Sequence, residues 1–199
     1  MVCNILLEKL PTEVSIGGKS YNINSDFRSF IIFEKIITDN TLSSQEKVKK
    51  SVDLFYGIEQ PKDIEEAFNA ILFYYTCGEE TKKEKKVKKN GDVIIKPKKI
   101  YSFEYDAPYI YAAFLTQYNI DLNDIKYMHW WKFQALFQGL ENHNKIVEIM
   151  GYRATDVGKI ENKKERARIL HLQNIYKLPE NLSYEDKVAM AGSAFGGGV

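Results

Sequence analysis

The chain has 199 residues and 23.1 kDa, with 28 Lys and Arg against 27 Asp and Glu and 44% hydrophobic residues. At that length about 70% of the unfolded surface can be buried, and 13 Tyr, 11 Phe and 2 Trp exclude a disordered class, which lacks aromatic residues. The longest apolar runs, Tyr109 to Leu115 and Ala70 to Cys77, fall far short of the roughly 18 residues that a membrane span requires, which predicts a single-core protein with no membrane partner.

The opening Met1 to Glu8 lacks a basic start, a long apolar stretch and a small-residue cleavage site, which predicts cytoplasmic synthesis. Glu13-Val14-Ser15-Ile16 and Ser20-Tyr21-Asn22-Ile23 alternate around Gly17-Gly18-Lys19, the pattern of a β-hairpin. Gly17-Gly18-Lys19-Ser20 also resembles the end of a phosphate-binding loop. The full spacing needs glycine where Glu13 stands, and a helix should follow where the strand-like Tyr21-Asn22-Ile23 is, so a hairpin turn is the reading adopted. Ser25 is placed to cap a helix through Phe27, Phe30, Ile31, Phe33, Glu34 and Ile37. Ser43-Ser44-Gln45-Glu46 is a capping box ahead of Val48, Val52, Phe55 and Tyr56, with Gly57 as the stop. Pro61 begins a helix carrying Ile64, Phe68, Ile71, Leu72 and Tyr75, ended by Gly78.

Charge is distributed unevenly. Lys82 to Lys99 holds nine lysines against Glu84 and Asp92, a net of +7 in a chain of formal charge +1, so the remainder carries −6. With few apolar residues before Val93 and a turn at Asn90-Gly91-Asp92, this stretch reads as a mobile loop or ribbon. It contains no arginine and no aromatic residue until Tyr101, so stacking and bidentate readout are unsupported and no specific nucleic-acid partner is expected.

Asp106-Ala107-Pro108 opens a helix through Tyr109, Ile110, Ala113, Phe114 and Tyr118. Asn123 or Asp121 would cap the next, from about Ile125 to Leu140. Its Ile125, Tyr127, Met128, Trp130, Trp131, Phe133, Ala135, Leu136, Phe137 and Leu140 cover nearly the whole circumference, so it must be buried on several sides, as a core helix or one shared with a partner. A short helix around Ile146 to Met150 and a longer one from Val157 to Tyr176 follow, before Pro179 breaks the pattern. The predicted fold is mainly α. An N-terminal hairpin leads a compact multi-helix domain spanning 1–199, with hairpin and helices over 1–80, the lysine-rich insertion over 81–100, an aromatic helical part over 101–180 and a flexible tail over 181–199.

No catalytic, cofactor or metal site is predicted. Cys3 and Cys77 lie far apart without neighbouring ligands and read as packed thiols, and His129, His143 and His171 have no ligand spacing. Asp121 and Asp124, with Asp106 nearby in sequence, could form a carboxylate cluster for a metal, but Asp121 and Asp124 both stand where helix starts need acceptors for free amides, and capping is the reading adopted. No Ser, Cys or His occupies a nucleophile elbow or paired motif, so no enzyme is expected.

Ser25-Asp26-Phe27-Arg28, then Phe33-Glu34, resembles the opening of the bacteriophage gene-product-fifteen family. Tyr105-Asp106-Ala107-Pro108-Tyr109-Ile110-Tyr111-Ala112-Ala113-Phe114, Tyr118-Asn119-Ile120-Asp121-Leu122 and His129-Trp130-Trp131-Lys132-Phe133 extend the likeness, as do Tyr152-Arg153, Lys159-Ile160 and Tyr176-Lys177-Leu178-Pro179. The resemblance implies a tail assembly chaperone of a long-tailed phage or prophage. Such a chaperone coats the tape measure protein before the tail tube polymerises, in the host bacterial cytoplasm, and is absent from the mature virion. The implied partners are the tape measure protein, further copies of the chain and, secondarily, the major tail protein. The alternative is a structural tail or head-tail connector component. Tyr109, Tyr111, Phe114, Trp130, Trp131, Phe133 and Phe137 are the candidate partner or core contacts.

Overall fold

The computed structural model describes residues 3–78 and 99–179, and these fall into two compact units. The lysine-rich stretch up to Lys98 and the tail from 180 onward lie outside the described residues. Among the described residues the fold is mainly helical, with seven α-helices and one antiparallel hairpin, and no helix is long and apolar enough to cross a membrane.

The first unit comprises residues 3–78 and 110–141. Strands β1 (Glu13–Ile16) and β2 (Lys19–Asn22) pair with Ile16 opposite Lys19, leaving Gly17 and Gly18 as a two-residue turn. Their φ angles of +56° and +76° are those of a type I′ turn, which glycine adopts without a Cβ penalty. The hairpin reading holds, with Lys19 in the strand rather than the turn.

Helix α1 (Phe27–Thr38) begins one residue later than a cap at Ser25 implies. Asp26 is the N-cap, accepting the Arg28 amide, because Ser25 is engaged elsewhere: its hydroxyl meets the Tyr127 hydroxyl at 2.7 Å and its carbonyl accepts the Trp130 amide. Helix α2 (Ser44–Tyr56) has the full capping box, Ser43 and Glu46 each satisfying the other's backbone amide, and stops at Gly57. Helix α3 (Ile64–Tyr75) is capped by Asp63, two residues beyond Pro61, where the sequence places its start. Cys77 and Gly78 both take positive φ beyond its end. Helix α4 (Ala107–Tyr118) opens where Pro108 predicts, and its residues from Ile110 onward belong to this unit.

The aromatic helix is shorter than the periodicity suggests. Helix α5 runs from Trp130 to Gln138, not from Ile125 to Leu140, and its N-cap is His129. Asp121 caps only a tight turn, accepting the Asn123 amide while its carbonyl takes the Asp124 and Ile125 amides. Beyond that turn, long-range bonds to Ser25, Asp26 and Phe27 hold residues 127–129 out of the helix. Helix α1 packs on α2 and α5, α2 on α3, and α3 on α5 and β1, so Phe30, Phe33, Phe55, Ile71, Trp130 and Phe133 close into one core.

The second unit comprises residues 99–109 and 142–179. Helix α6 (Lys145–Ala154) packs on α7 (Lys163–Ile175). The expected single helix from Val157 to Tyr176 is divided. Asp156 caps a short 3₁₀ turn at Val157–Lys159, and Asn162 then starts α7 by accepting the Lys164 and Glu165 amides.

Candidate functional site

The residues that carry the sequence signature converge on three constructions. The first is the ring column of α5. Trp130 stacks on Phe30 at 5.1 Å and on Tyr75 at 5.9 Å, and Phe133 stacks on Phe27 at 4.7 Å and Phe114 at 5.0 Å. The planes lie within 15° of one another, an arrangement suited to filling a slot between helices. Adjacent tryptophans diverge by about 100° on a helix, yet both face α3. The Trp130 indole N–H donates to the Tyr75 carbonyl at 3.0 Å and that of Trp131 to the Tyr74 carbonyl at 2.8 Å. Carbonyls in a helix's last turn lack intrahelical partners, so two consecutive indoles close the end of α3. Gly78 completes the fit: its φ is +79° and a Cβ there would lie 3.2 Å from Trp131 Cη2.

The second construction is the clasp formed by Ser25-Asp26-Phe27-Arg28. Asp26 accepts the Arg28 and Met128 amides, the Phe27 amide donates to the Met128 carbonyl, and Asp26 pairs across an isolated bridge with His129. The Arg28 guanidinium bonds both Asp26 oxygens at 3.2 Å, lies over the Phe27 ring, and donates at 2.8 Å to the carbonyls of Leu122 and Ile125. One tetrapeptide therefore fixes the turn before α5 and its extended approach. Of these residues the sequence marks Asp26 and Arg28 by resemblance only; periodicity offers no sign of bonds spanning a hundred positions.

The third lies in the second unit. Arg153 and Asp106 form a two-pronged ion pair at 2.6 and 2.9 Å, with side chains 7% and 2% exposed. The guanidinium also donates to the carbonyls of Ile100 and Tyr176, and Asp106 accepts the Ser102 amide at 2.8 Å. Each side-chain nitrogen and oxygen of the buried pair thus has a partner, as burying charge requires. The Asp106 side chain anchors Arg153, a role that its place at the opening of α4 does not suggest.

Of the seven candidate contacts, Phe114, Trp130 and Phe133 are fully buried and Trp131 and Phe137 are 6% exposed. Tyr111 is half-buried and donates to Asp121, which raises the phenol's pKa and helps the Asn123 amide to lower that of the carboxyl. Tyr109 packs edge-on to Tyr176. The accessible apolar surface of the first unit is elsewhere: Leu6 and Leu7 are 88% and 82% exposed, and Ile58 is fully exposed. A groove of about 530 Å³ between α2 and α3 adds Val48 and Ile64, lined also by the buried Val52 and by Lys49, Asp53 and Gln60. Neither feature stood out in the sequence, where scattered leucines and isoleucines carry no mark of exposure.

Among the described residues no group of three His, Cys, Asp or Glu side chains is placed to hold a metal ion. Gly17 and Gly18 form a hairpin tip, with the Gly17 amide bonded to Glu66, and Lys19 lies over the Tyr21 ring. A family model described as Bacteriophage Gp15 protein matches residues 6–178. Neither a curated protein nor a solved structure matches the chain.

Proposed function

The chain belongs to the bacteriophage Gp15 protein family, which makes it a phage structural or morphogenesis protein, and we propose that within that class it is a tail assembly chaperone for the tape measure protein. The family is of structural type and is not known for catalysis. The observation that carries the proposal is the ordered residue series from Tyr105 to Phe133 within the family match.

Coating a long helical partner requires apolar contacts that are individually modest and many times repeated, so that avidity holds what each contact alone would release. The buried rings of α5 are poor candidates for such contacts because exposing them would dismantle the core. Leu6, Leu7, Ile58 and the groove at Val48 and Ile64 are available without that cost. The coating reading therefore assigns the partner surface to these residues and a scaffold role to Trp130, Trp131 and Phe133. Assembly takes place in the host cytoplasm, and the chain departs as tube protein arrives.

Affinity purification of the tagged chain from phage-producing cells should recover the tape measure protein, and finished particles should lack the chain. Stoichiometric presence in purified particles would instead establish a tail or connector component.

A further inference from the structure

His129 sits where three parts of the first unit meet. It is 4% exposed, caps α5 and pairs through its backbone with Asp26. Its Nδ1 accepts the Trp131 amide at 3.1 Å, and its other ring nitrogen, Nε2, lies 2.9 Å from the Pro11 carbonyl. An amide can only donate and a carbonyl can only accept, so one protonation state satisfies both: neutral imidazole with its proton on Nε2. A second proton would turn Nδ1 into a donor facing another donor.

We propose that His129 is an acid-sensitive clasp, in which the neutral ring ties Pro11 to the first turn of α5 and protonation releases the Trp131 amide and loosens that turn. The turn matters because Trp130 and Trp131 are seated there on the end of α3. The groups facing the ring offer an imidazolium little compensation. From α3 comes Tyr74, whose ring centre is 6.2 Å away and whose phenol donates to the Glu13 carbonyl; burial pushes its pKa up, so it stays neutral through the acid range. Ahead of α1, Asp26 is committed to Arg28 and to the Met128 amide. On β1 the Glu13 carboxylate accepts the Ser20 hydroxyl, and on α5 Lys132 is an exposed cation. Burial lowers the ring's pKa from 6.5, against the smaller opposing effect of the Pro11 carbonyl.

The sign follows from linkage. The unfolded chain takes up this proton near pH 6.5 and the folded chain only at lower pH, so the contribution is complete above 6.5. Below it the folding constant falls by up to about tenfold per pH unit, until the folded ring itself titrates.

The test is an NMR titration of the full chain from about pH 8 to about pH 5, the range in which histidines ordinarily change charge. It follows the three histidine rings and the Trp131 amide. His129 should protonate only below the ordinary 6.5, and the Trp131 amide should shift in step with that protonation. His129→Asn retains a side-chain acceptor at the cap but does not titrate, so its unfolding free energy should lose the corresponding slope in denaturant titrations repeated across the same range. His129 titrating at or above 6.5, a Trp131 amide that does not respond, or an undiminished slope in a folded His129→Asn would each overturn the proposal. Should that variant not fold, the wild-type titration decides alone.

Discussion

Asp106 and Arg153 show most directly what single residues contribute. Removing one member of a buried, fully bonded ion pair strands the other in a low-dielectric site, and such changes cost about 3–5 kcal/mol. Asp106→Ala should therefore lower unfolding stability by about that amount in urea titrations. Replacing both residues by apolar side chains of similar volume should recover much of the loss. A loss below about 1 kcal/mol for Asp106→Ala, the range of exposed pairs, would show that the pair is weaker than its geometry implies. Nothing in the sequence around Asp106-Ala107-Pro108 announced this role, because its partner lies 47 positions away. Local signals identify a good helix-start residue and are silent about a guanidinium brought to it by folding.

At the scale of elements, what could be read in the sequence depended on the range of the deciding interaction. The hairpin at Gly17-Gly18, the capping box of Ser43 and Glu46 and the start of α4 rest on neighbours within a few residues, and all three form as expected. The stretch from Ile125 to Leu140 did not remain one helix. Its first five residues have helical periodicity, but Arg28 holds the Leu122 and Ile125 carbonyls and Asp26 holds the Met128 amide.

The union of α5 with α3 has its own test. Trp131→Phe keeps most of the apolar contact but removes the indole donor from the Tyr74 carbonyl, which retains the Cys77 amide, and should cost about 0.5–1.5 kcal/mol. Phe133→Ala should cost about 3–5 kcal/mol by opening a cavity in the ring column. Thermal or denaturant unfolding reads both. Equal, negligible losses would mean that α5 is not the keystone of this core. Gly78→Ala should also destabilise the chain, by about 1 kcal/mol or more, since it combines an unfavourable φ with pressure on Trp131.

At the scale of the whole molecule, much of the aromatic surplus, the most conspicuous property of the sequence, is buried among the described residues. Apolar burial of this kind stabilises a scaffold, and among the described residues Leu6, Leu7 and Ile58 are the large apolar side chains left most exposed. Burial itself was legible at Trp130 to Phe137, because a helix apolar on nearly all sides must be covered. The outward-facing set was not legible, since exposure is a property of the assembled surface and not of any residue's chemistry.

The chaperone account is tested most directly by producing the tape measure protein of the same phage with and without this chain and measuring its soluble fraction. The account predicts soluble tape measure protein bound to many copies of the wild-type chain, and aggregation or degradation without it. Leu6→Ser combined with Leu7→Ser should weaken that protection while leaving the chain folded. Tape measure protein that is equally soluble in the absence of the chain would contradict the account.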